Sequence, residues 1–139
     1  MRSVAGIGSA VLMISGLWGC GGPATDGPAR HSLSGQVLFR GKPVPKGSIH
    51  LSPDTEKGNQ GPGVVIPIKN GRYQTQSDLG SVGGPMIVKI TGLDGVPYTE
   101  GGETITDGRP LFPLYQAEVE LPKKSEVFDF EVPATTSSR

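Results

Sequence analysis

Glycine and proline interrupt this chain so often that long helices have little room to form. The 139 residues include 22 glycines and 13 prolines, about a quarter of the total, and neither residue is tolerated well inside a helix. The apolar residues lie in short runs, many of which alternate with polar residues, as is typical of strands with one buried face. The sequence therefore predicts short strands joined by many turns, in one domain of modest size.

Seven segments have this strand character. In 115–121, for example, Tyr115, Ala117, Val119 and Leu121 share one face of an extended chain and polar residues share the other. With one apolar face per strand, two sheets can bury each other's apolar rows. The sequence therefore predicts an all-β fold, a seven-stranded antiparallel β-sandwich. The predicted strands are 31–39, 48–52, 63–68, 73–76, 86–91, 115–121 and 127–132.

Residue type predicts three details of the connections. Asn70 and Gly71 both tolerate positive φ, so they predict a tight hairpin turn. Pro67 cannot donate a ladder hydrogen bond, so its strand is expected at a sheet edge or a bulge. The connection from Gly92 to Leu114 is longer than most loops of compact domains, so we expect it to be functional or partly disordered.

The first twenty residues have the layout of a secretory signal. Arg2 is the only charged residue before Asp26, and an apolar run follows it, clearest in AVLMISGLW at 10–18. That run is shorter and richer in glycine than the roughly 20 apolar residues that span a bilayer. It ends at Cys20, the only cysteine. Cys20 cannot form an intramolecular disulfide, so it is a free thiol, an intermolecular partner or a modified residue.

The end of the run, LWGC at 17–20, resembles the lipobox of bacterial lipoproteins. Leu17 and Gly19 match the leucine and the small residue that precede the modified cysteine, whereas Trp18 stands where a smaller residue is usual. The resemblance implies cleavage before Cys20, a diacylglycerol thioether on its sulfur and an acyl chain such as palmitate on its new amino group. Two or more such chains hold a protein stably at a membrane. The alternative is an ordinary secretory signal with an incidental cysteine.

These features divide the chain into four parts. A signal peptide is expected at 1–19, a lipidated tether rich in glycine and proline at 20–30, a β-sandwich domain at 31–133 and a flexible tail at 134–139. The resemblance to lipoproteins implies a location in the cell envelope, facing the periplasm or the exterior. Gly21 follows the cysteine where an aspartate would favour another destination, so the outer membrane is the favoured site.

Four stretches of the body carry a second resemblance: SGQVLFRGKPVPKGSIHLSP at 34–53, KNGRYQT at 69–75, GGPMIVKITG at 83–92 and LYQAEVELPKKSEVFDFEVP at 114–133. Together they resemble carboxypeptidase regulatory-like, or transthyretin-like, domains over roughly residues 33–133. The resemblance implies a prealbumin-like sandwich of seven strands with an Ig-like Greek-key topology. Such domains share no catalytic residues, so it also implies a protein that is not an enzyme and needs no cofactor.

The long connection carries two sets of candidate site residues. Three aromatic residues form a ligand-stacking patch or else close the open end of the sandwich: Tyr98, Phe112 and Tyr115. Four acids offer oxygen ligands to calcium or else are simply solvated: Asp94, Glu100, Glu103 and Asp107.

The remaining features favour binding over catalysis. The formal net charge is zero, so nothing predicts a nucleic-acid surface. His50 faces outward on its strand, and its neighbours along that strand cannot assemble a catalytic triad. We therefore expect a binding or assembly module, attached to membrane lipid through acylated Cys20, whose partners are envelope proteins or polysaccharide. The strand of Pro67 and the connection at 92–114 are the expected contact surfaces. The alternative is a carrier of a small ligand or calcium that uses the 92–114 connection.

Overall fold

The computed structural model describes residues 27–76 and 78–134. The predicted signal peptide, including Leu17 and Gly19, lies outside the described residues, as do Cys20, most of the tether and residues 135–139. The described residues therefore cover the predicted domain at 31–133, apart from residue 77, together with the end of the tether.

The described residues contain strands and no α-helix, which confirms the predicted all-β class. Their one helical element is a short 3-10 helix, Thr55–Lys57. The strands are β1 (Leu33–Phe39), β2 (Lys42–Pro43), β3 (Lys46–Pro53), β4 (Val64–Lys69), β5 (Arg72–Gln74), β6 (Gly84–Leu93), β7 (Tyr98–Glu100), β8 (Glu103–Ile105), β9 (Tyr115–Leu121), β10 (Glu126–Val127) and β11 (Phe130–Val132).

These strands form one curled, mainly antiparallel sheet and a separate two-stranded hairpin, β7–β8. The order along the main sheet is β10-β1-β5-β4-β3-β6-β9, and β2 and β11 also pair with β1. The sheet has two arms, which meet at the turn between β4 and β5, where Lys69 and Arg72 are the only paired positions. One arm contributes Ile49 and Ile90 to the hydrophobic core and the other contributes Val37.

The alternation of apolar and polar residues predicts the buried faces correctly. In β6, Met86, Val88 and Ile90 are buried, whereas Lys89 and Thr91 are exposed. The same pattern holds in β3, where His50 faces outward between two buried residues. Because side chains alternate across a strand, each buried row is set by local sequence once the segment is extended.

The turn predictions are also confirmed. Asn70 and Gly71 have φ of 51° and 73° and close the β4–β5 hairpin, as expected for a type I′ turn. Arg40 and Gly41 have φ of 52° and 74° and close a second tight hairpin, between β1 and β2. Pro67 lies on β4, which pairs with β3 along its whole length but with β5 only at Lys69, so it stands at an edge of that arm.

The described residues contain eleven strands instead of the predicted seven. The connection after β1 adds the two-residue strand β2, and the connection at 92–114 adds the β7–β8 hairpin. The last predicted strand, 127–132, is divided into β10 and β11. At the break, Asp129 Oδ1 accepts a hydrogen bond from the backbone N–H of Gln36 at 2.8 Å, in place of a regular ladder bond.

The end of the chain departs from the predicted antiparallel arrangement. β10 and β11 both run parallel to β1. The segment Pro122–Ser125 therefore does not close a hairpin between neighbours, because it connects β9 at one end of the sheet order to β10 at the other. This pairing depends on contacts between residues about ninety positions apart. The alternation of apolar and polar residues along one strand does not predict such contacts.

Candidate functional site

The start of the domain at His31 and the long connection lie at opposite ends of the domain. His31 pairs with Ser81 just before β6 begins, and the connection follows Leu93, where β6 ends. A strand of this length spans about 30 Å. We use "distal end" for the segment 94–114 together with the Arg40–Gly41 turn, which borders it. A ligand or partner at the distal end would be held well away from His31, where the predicted tether joins the domain.

Asp94 organises the base of the distal hairpin. Its Oδ1 accepts hydrogen bonds from the backbone N–H groups of Val96 at 2.9 Å and Arg109 at 3.0 Å. The backbone N–H of Asp94 donates in turn to the carbonyl of Arg109 at 2.9 Å. Gly108 has φ of 91°, and a Cβ there would collide with Asp94 Oδ1. The carboxylate therefore joins the two sides of the segment.

Two further contacts brace the hairpin. Lys46 Nζ forms an ion pair with Asp107 Oδ1 at 3.0 Å, but both side chains are largely exposed, so this pair adds little stability. The guanidinium of Arg109 lies 3.9 Å from the centre of the Tyr98 ring, a cation–π contact. The connection was predicted to be functional or partly disordered. In the structure it contains the β7–β8 hairpin, whose base is held by hydrogen bonds to Asp94.

The three predicted aromatic residues have three different neighbours. Tyr98 is half-buried beneath Arg109, and Tyr115 packs at the edge of the core at the start of β9. Phe112 is buried, with its ring 4.9 Å from that of Phe39. Phe112 and Tyr115 thus contribute to packing at this end of the core, and the use of the three rings as a ligand-stacking patch stays a prediction.

An apolar cleft of about 310 Å³ lies beside these residues. The rings and aliphatic groups of Phe39, Pro43, Pro45 and Leu111 line it. Arg40 lies at its rim and also sits 5.2 Å from the centre of the Phe39 ring. The cleft is close to the lower limit of size for small-molecule sites.

The four acids predicted for calcium already have other neighbours. Asp94 accepts two backbone N–H groups and Asp107 pairs with Lys46, while Glu100 and Glu103 are exposed residues opposite each other in the β7–β8 hairpin. Within 27–76 and 78–134, no group of three or more His, Cys, Asp or Glu side chains is placed to hold a metal ion. The calcium hypothesis therefore gains no support from this geometry.

The buried polar side chains act within the fold. Asp54 caps the 3-10 helix by accepting from the backbone N–H groups of Glu56 and Lys57. The hydroxyl of Thr75 accepts from the N–H of Leu33 at 3.0 Å, and that of Ser81 accepts from the N–H of Gly83 at 3.0 Å. These groups satisfy backbone donors, as buried polar groups usually do.

Tyr73 is a buried tyrosine with a structural hydrogen bond. Its hydroxyl donates to the carbonyl of Phe128, next to the break between β10 and β11. Burial raises the pKa of Tyr73 well above that of a free tyrosine, and the nearby charge of Asp129 raises it further. The hydroxyl therefore stays protonated and joins β5 to the last segment of the chain.

We expect Tyr73→Phe to lower the free energy of unfolding by about 1–2 kcal/mol, because the Phe128 carbonyl loses its donor. The folded protein holds this proton more tightly than the unfolded chain, so Tyr73 makes stability fall as the pH rises above about 10. Tyr73→Phe should remove that part of the alkaline slope. Urea unfolding at neutral pH and at alkaline pH measures both effects, and an unchanged slope would show that Tyr73 is not responsible.

The large exposed apolar side chains of the described residues form two groups. Val96, Ile105 and Leu114 belong to the distal end. The others, Val65, Leu79 and Val127, border grooves beside β4. Both surfaces expected from the sequence thus carry exposed apolar groups. The grooves themselves were not predicted, because they arise where β4 and β5 separate. Pro67 and the Asn70–Gly71 turn were the two local signals near that point.

Comparisons with known proteins do not assign the chain to a family. No family model matches it, and no curated protein resembles it in sequence closely enough to count as a match. Across residues 27–76 and 78–134, no helix has the length and apolar character needed to cross a bilayer.

Proposed function

We propose that this chain is a lipid-anchored protein of the bacterial cell envelope that binds another envelope component and catalyses no reaction. Acylated Cys20 holds it at a membrane, with the outer membrane favoured, and the domain is a carboxypeptidase regulatory-like β-sandwich. The partner is an envelope protein or polysaccharide. The observation that carries the proposal is the placement of the distal end and of His31, where the chain enters the domain, at opposite ends of β6.

This placement suits a tethered binding module. The tether at 20–30 reaches at most about 35 Å when fully extended, and β6 adds about 30 Å. A domain anchored at Cys20 can therefore present the hairpin at Tyr98–Ile105 away from the bilayer surface. Anchoring also raises the local concentration of the domain, which favours weak contacts.

Two features of the arms support the sandwich architecture. Buried residues of both arms belong to one hydrophobic cluster. The arms also share only the pairing at Lys69 and Arg72, so β4 and β5 separate beyond the turn as strands do when they pass from one sheet to another.

The chemistry of the buried polar groups supports a role without catalysis. Enzyme sites bring titratable groups together and shift their pKa values. Here the raised pKa of Tyr73 comes chiefly from burial, and its hydroxyl is used in a structural hydrogen bond. The raised pKa of Lys57 comes chiefly from its exposed hydrogen bond to Glu118. Both shifts therefore have a local structural cause.

A small-ligand carrier is the second candidate function, and the cleft beside Phe39 and Leu111 favours it. Its apolar floor suits an apolar group, while Arg40 and Lys42 at its border suit an anionic one. A carrier of this kind would show a thermal shift with small amphiphilic anions and no enrichment of an envelope protein or polysaccharide.

Capture from detergent-solubilised envelope tests the binding proposal. With the full chain as bait, we expect Val96→Ser/Ile105→Ser to reduce the captured partner at least fivefold, because two of the three large exposed apolar side chains of the distal end are lost. The matched control, Lys89→Ser/Thr91→Ser, changes two exposed residues in the middle of β6 and should capture normally. Equal capture by both variants, or no partner enriched over an unrelated bait, would contradict the proposal.

A further inference from the structure

β4 has an edge that the described residues leave largely unpaired. It pairs with β3 at six positions, from Val64 to Lys69, but with β5 only at Lys69. All three residues of β5 pair with β1 on its other edge, and after Arg72 β5 follows β1 and separates from β4. Within 27–76 and 78–134, no other strand pairs with β4 along this edge. Such an edge is a template for an added strand.

The backbone groups on this edge can be assigned from the hairpin. Lys69 pairs with Arg72 across a two-residue turn, so its N–H and C=O point toward the β5 side. Backbone groups alternate sides along a strand, so those of Val65 and Pro67 point the same way. The edge therefore offers an N–H and a C=O from Val65 and a C=O from Pro67. Pro67 has no N–H to leave unpaired, which explains why it is tolerated here.

Two grooves run along the edge and share Pro67 and Gln74. Their volumes are about 570 and 290 Å³. Three large apolar side chains border them and are unusually exposed: Val65 at 62%, Leu79 at 46% and Val127 at 68%. An added strand would therefore find backbone partners on β4 and apolar surface on both sides.

Charge along the grooves favours an acidic occupant. Arg30, Lys69 and Arg72 line them, against one acid, Asp129. Among the described residues, none of these three cations forms an ion pair. Asp129 Oδ1 already accepts the backbone N–H of Gln36, so its charge is partly compensated.

We propose that the β4 edge binds an extended segment of another protein that carries apolar residues in one half and acidic residues in the other. The segment adds as a strand beside β4, with backbone hydrogen bonds to Val65 and Pro67. Val65 and Lys69 lie four residues apart on the exposed face of β4. The apolar half of the segment therefore lies against Val65, and its acidic half lies near Lys69 and Arg72. Strand addition of this kind takes affinity from the main chain and specificity from alternate side chains. The inference needs neither the lipid anchor nor the distal end.

Synthetic peptides test the inference on the full chain purified in detergent. The probe is a fluorescein-labelled nine-residue peptide with Val at its first four positions, Thr at the fifth and Glu at the last four, and its binding is followed by fluorescence anisotropy. We expect saturable binding that is at least tenfold tighter than that of the Lys and Val counterpart. N-methylation of alternate residues, in the register that faces β4, should weaken binding at least tenfold, because it removes the backbone donors without changing the protein. Equal binding of the three peptides, or no saturable binding, would overturn the proposal.

Substitutions in the protein locate the site. Val65→Pro removes the outward N–H and should weaken the Glu/Val peptide at least tenfold, while Val65→Thr keeps that N–H and should bind within about twofold of the unchanged chain. Lys69→Glu/Arg72→Glu should also weaken binding at least tenfold. Unchanged binding by Val65→Pro would overturn the proposal.

A second outcome would also overturn it. If the chain self-associates and Val65→Pro abolishes that self-association, the occupant of this edge is a second copy of the chain. Because Val96→Ser/Ile105→Ser leaves these grooves intact, peptide binding and capture at the distal end fail independently.

Discussion

Gly47→Ala is expected to destabilise the domain by about 3 kcal/mol, the largest effect we expect from any single small substitution in it. Gly47 lies on β3 opposite Gly92 of β6. A Cβ at position 47 would collide with the backbone carbonyl of Thr91, which cannot swing aside as a flexible side chain would. The two central strands must separate to admit the methyl group. Thermal unfolding should shift downward by roughly 10 °C or more.

Gly41→Ala is the matched control for this prediction. Gly41 has φ of 74°, but a Cβ there meets nothing within 4 Å. The control therefore has only the backbone cost of a non-glycine residue at positive φ, about 1 kcal/mol. If the two variants unfold at the same temperature, close approach of β3 and β6 at Gly47 is not what requires glycine there.

Cys20→Ser is expected to abolish incorporation of palmitate into the chain. A serine hydroxyl does not replace the thiol in the thioether bond that the lipoprotein resemblance implies. Without acyl chains the protein loses about 0.8 kcal/mol of membrane affinity for each methylene no longer buried. Metabolic labelling with an alkyne analogue of palmitate measures the modification directly, whether or not the signal peptide is still cleaved.

Trp18→Ala is the control for the lipidation prediction. It places a small residue at the one position where LWGC departs from the usual lipobox, so labelling should persist. Labelling of the Cys20→Ser variant at the level of the unchanged chain would contradict the anchor. Loss of labelling from Trp18→Ala as well would show that the assay reports a general defect of export.

The buried rows of the domain could be predicted because they depend on local sequence. Alternation in 86–91 and 115–121 sets which side chains face inward as soon as the chain is extended. The Asn70–Gly71 turn was predictable for the same reason, since both residues tolerate positive φ. None of these predictions required knowledge of which strands pair.

The pairing of the last strands could not be predicted in this way. β11 lies parallel to β1, and the chain reaches it past Gly35, where a Cβ would collide with the carbonyl of Phe128. The alternation in β1 predicts that Gly35 faces inward, but it does not predict that the backbone at Phe128 packs against this position. Such contacts join distant residues, and several pairings are compatible with the same alternation.

In the candidate site, too, the features with a local sequence signal could be predicted and those set by distant contacts could not. Pro67 indicated a sheet edge from its chemistry alone, and the structure places β4 there. The β7–β8 hairpin had a local signal too, because the Gly101–Gly102 pair favours a two-residue hairpin turn. That signal was weak, since Tyr98 and Ile105 are its only large apolar residues. At the base of the hairpin, the Asp94 carboxylate accepts from the N–H of Arg109, fifteen residues away. The pattern of apolar and polar residues does not predict this contact.

Mass spectrometry of the protein purified from its native membrane tests the central claim most directly. The account predicts that the mature chain begins at Cys20, with a diacylglycerol group on the sulfur and a further acyl chain on the amino group. A mature chain that carries an unmodified thiol at Cys20, or that begins at another residue, would contradict it.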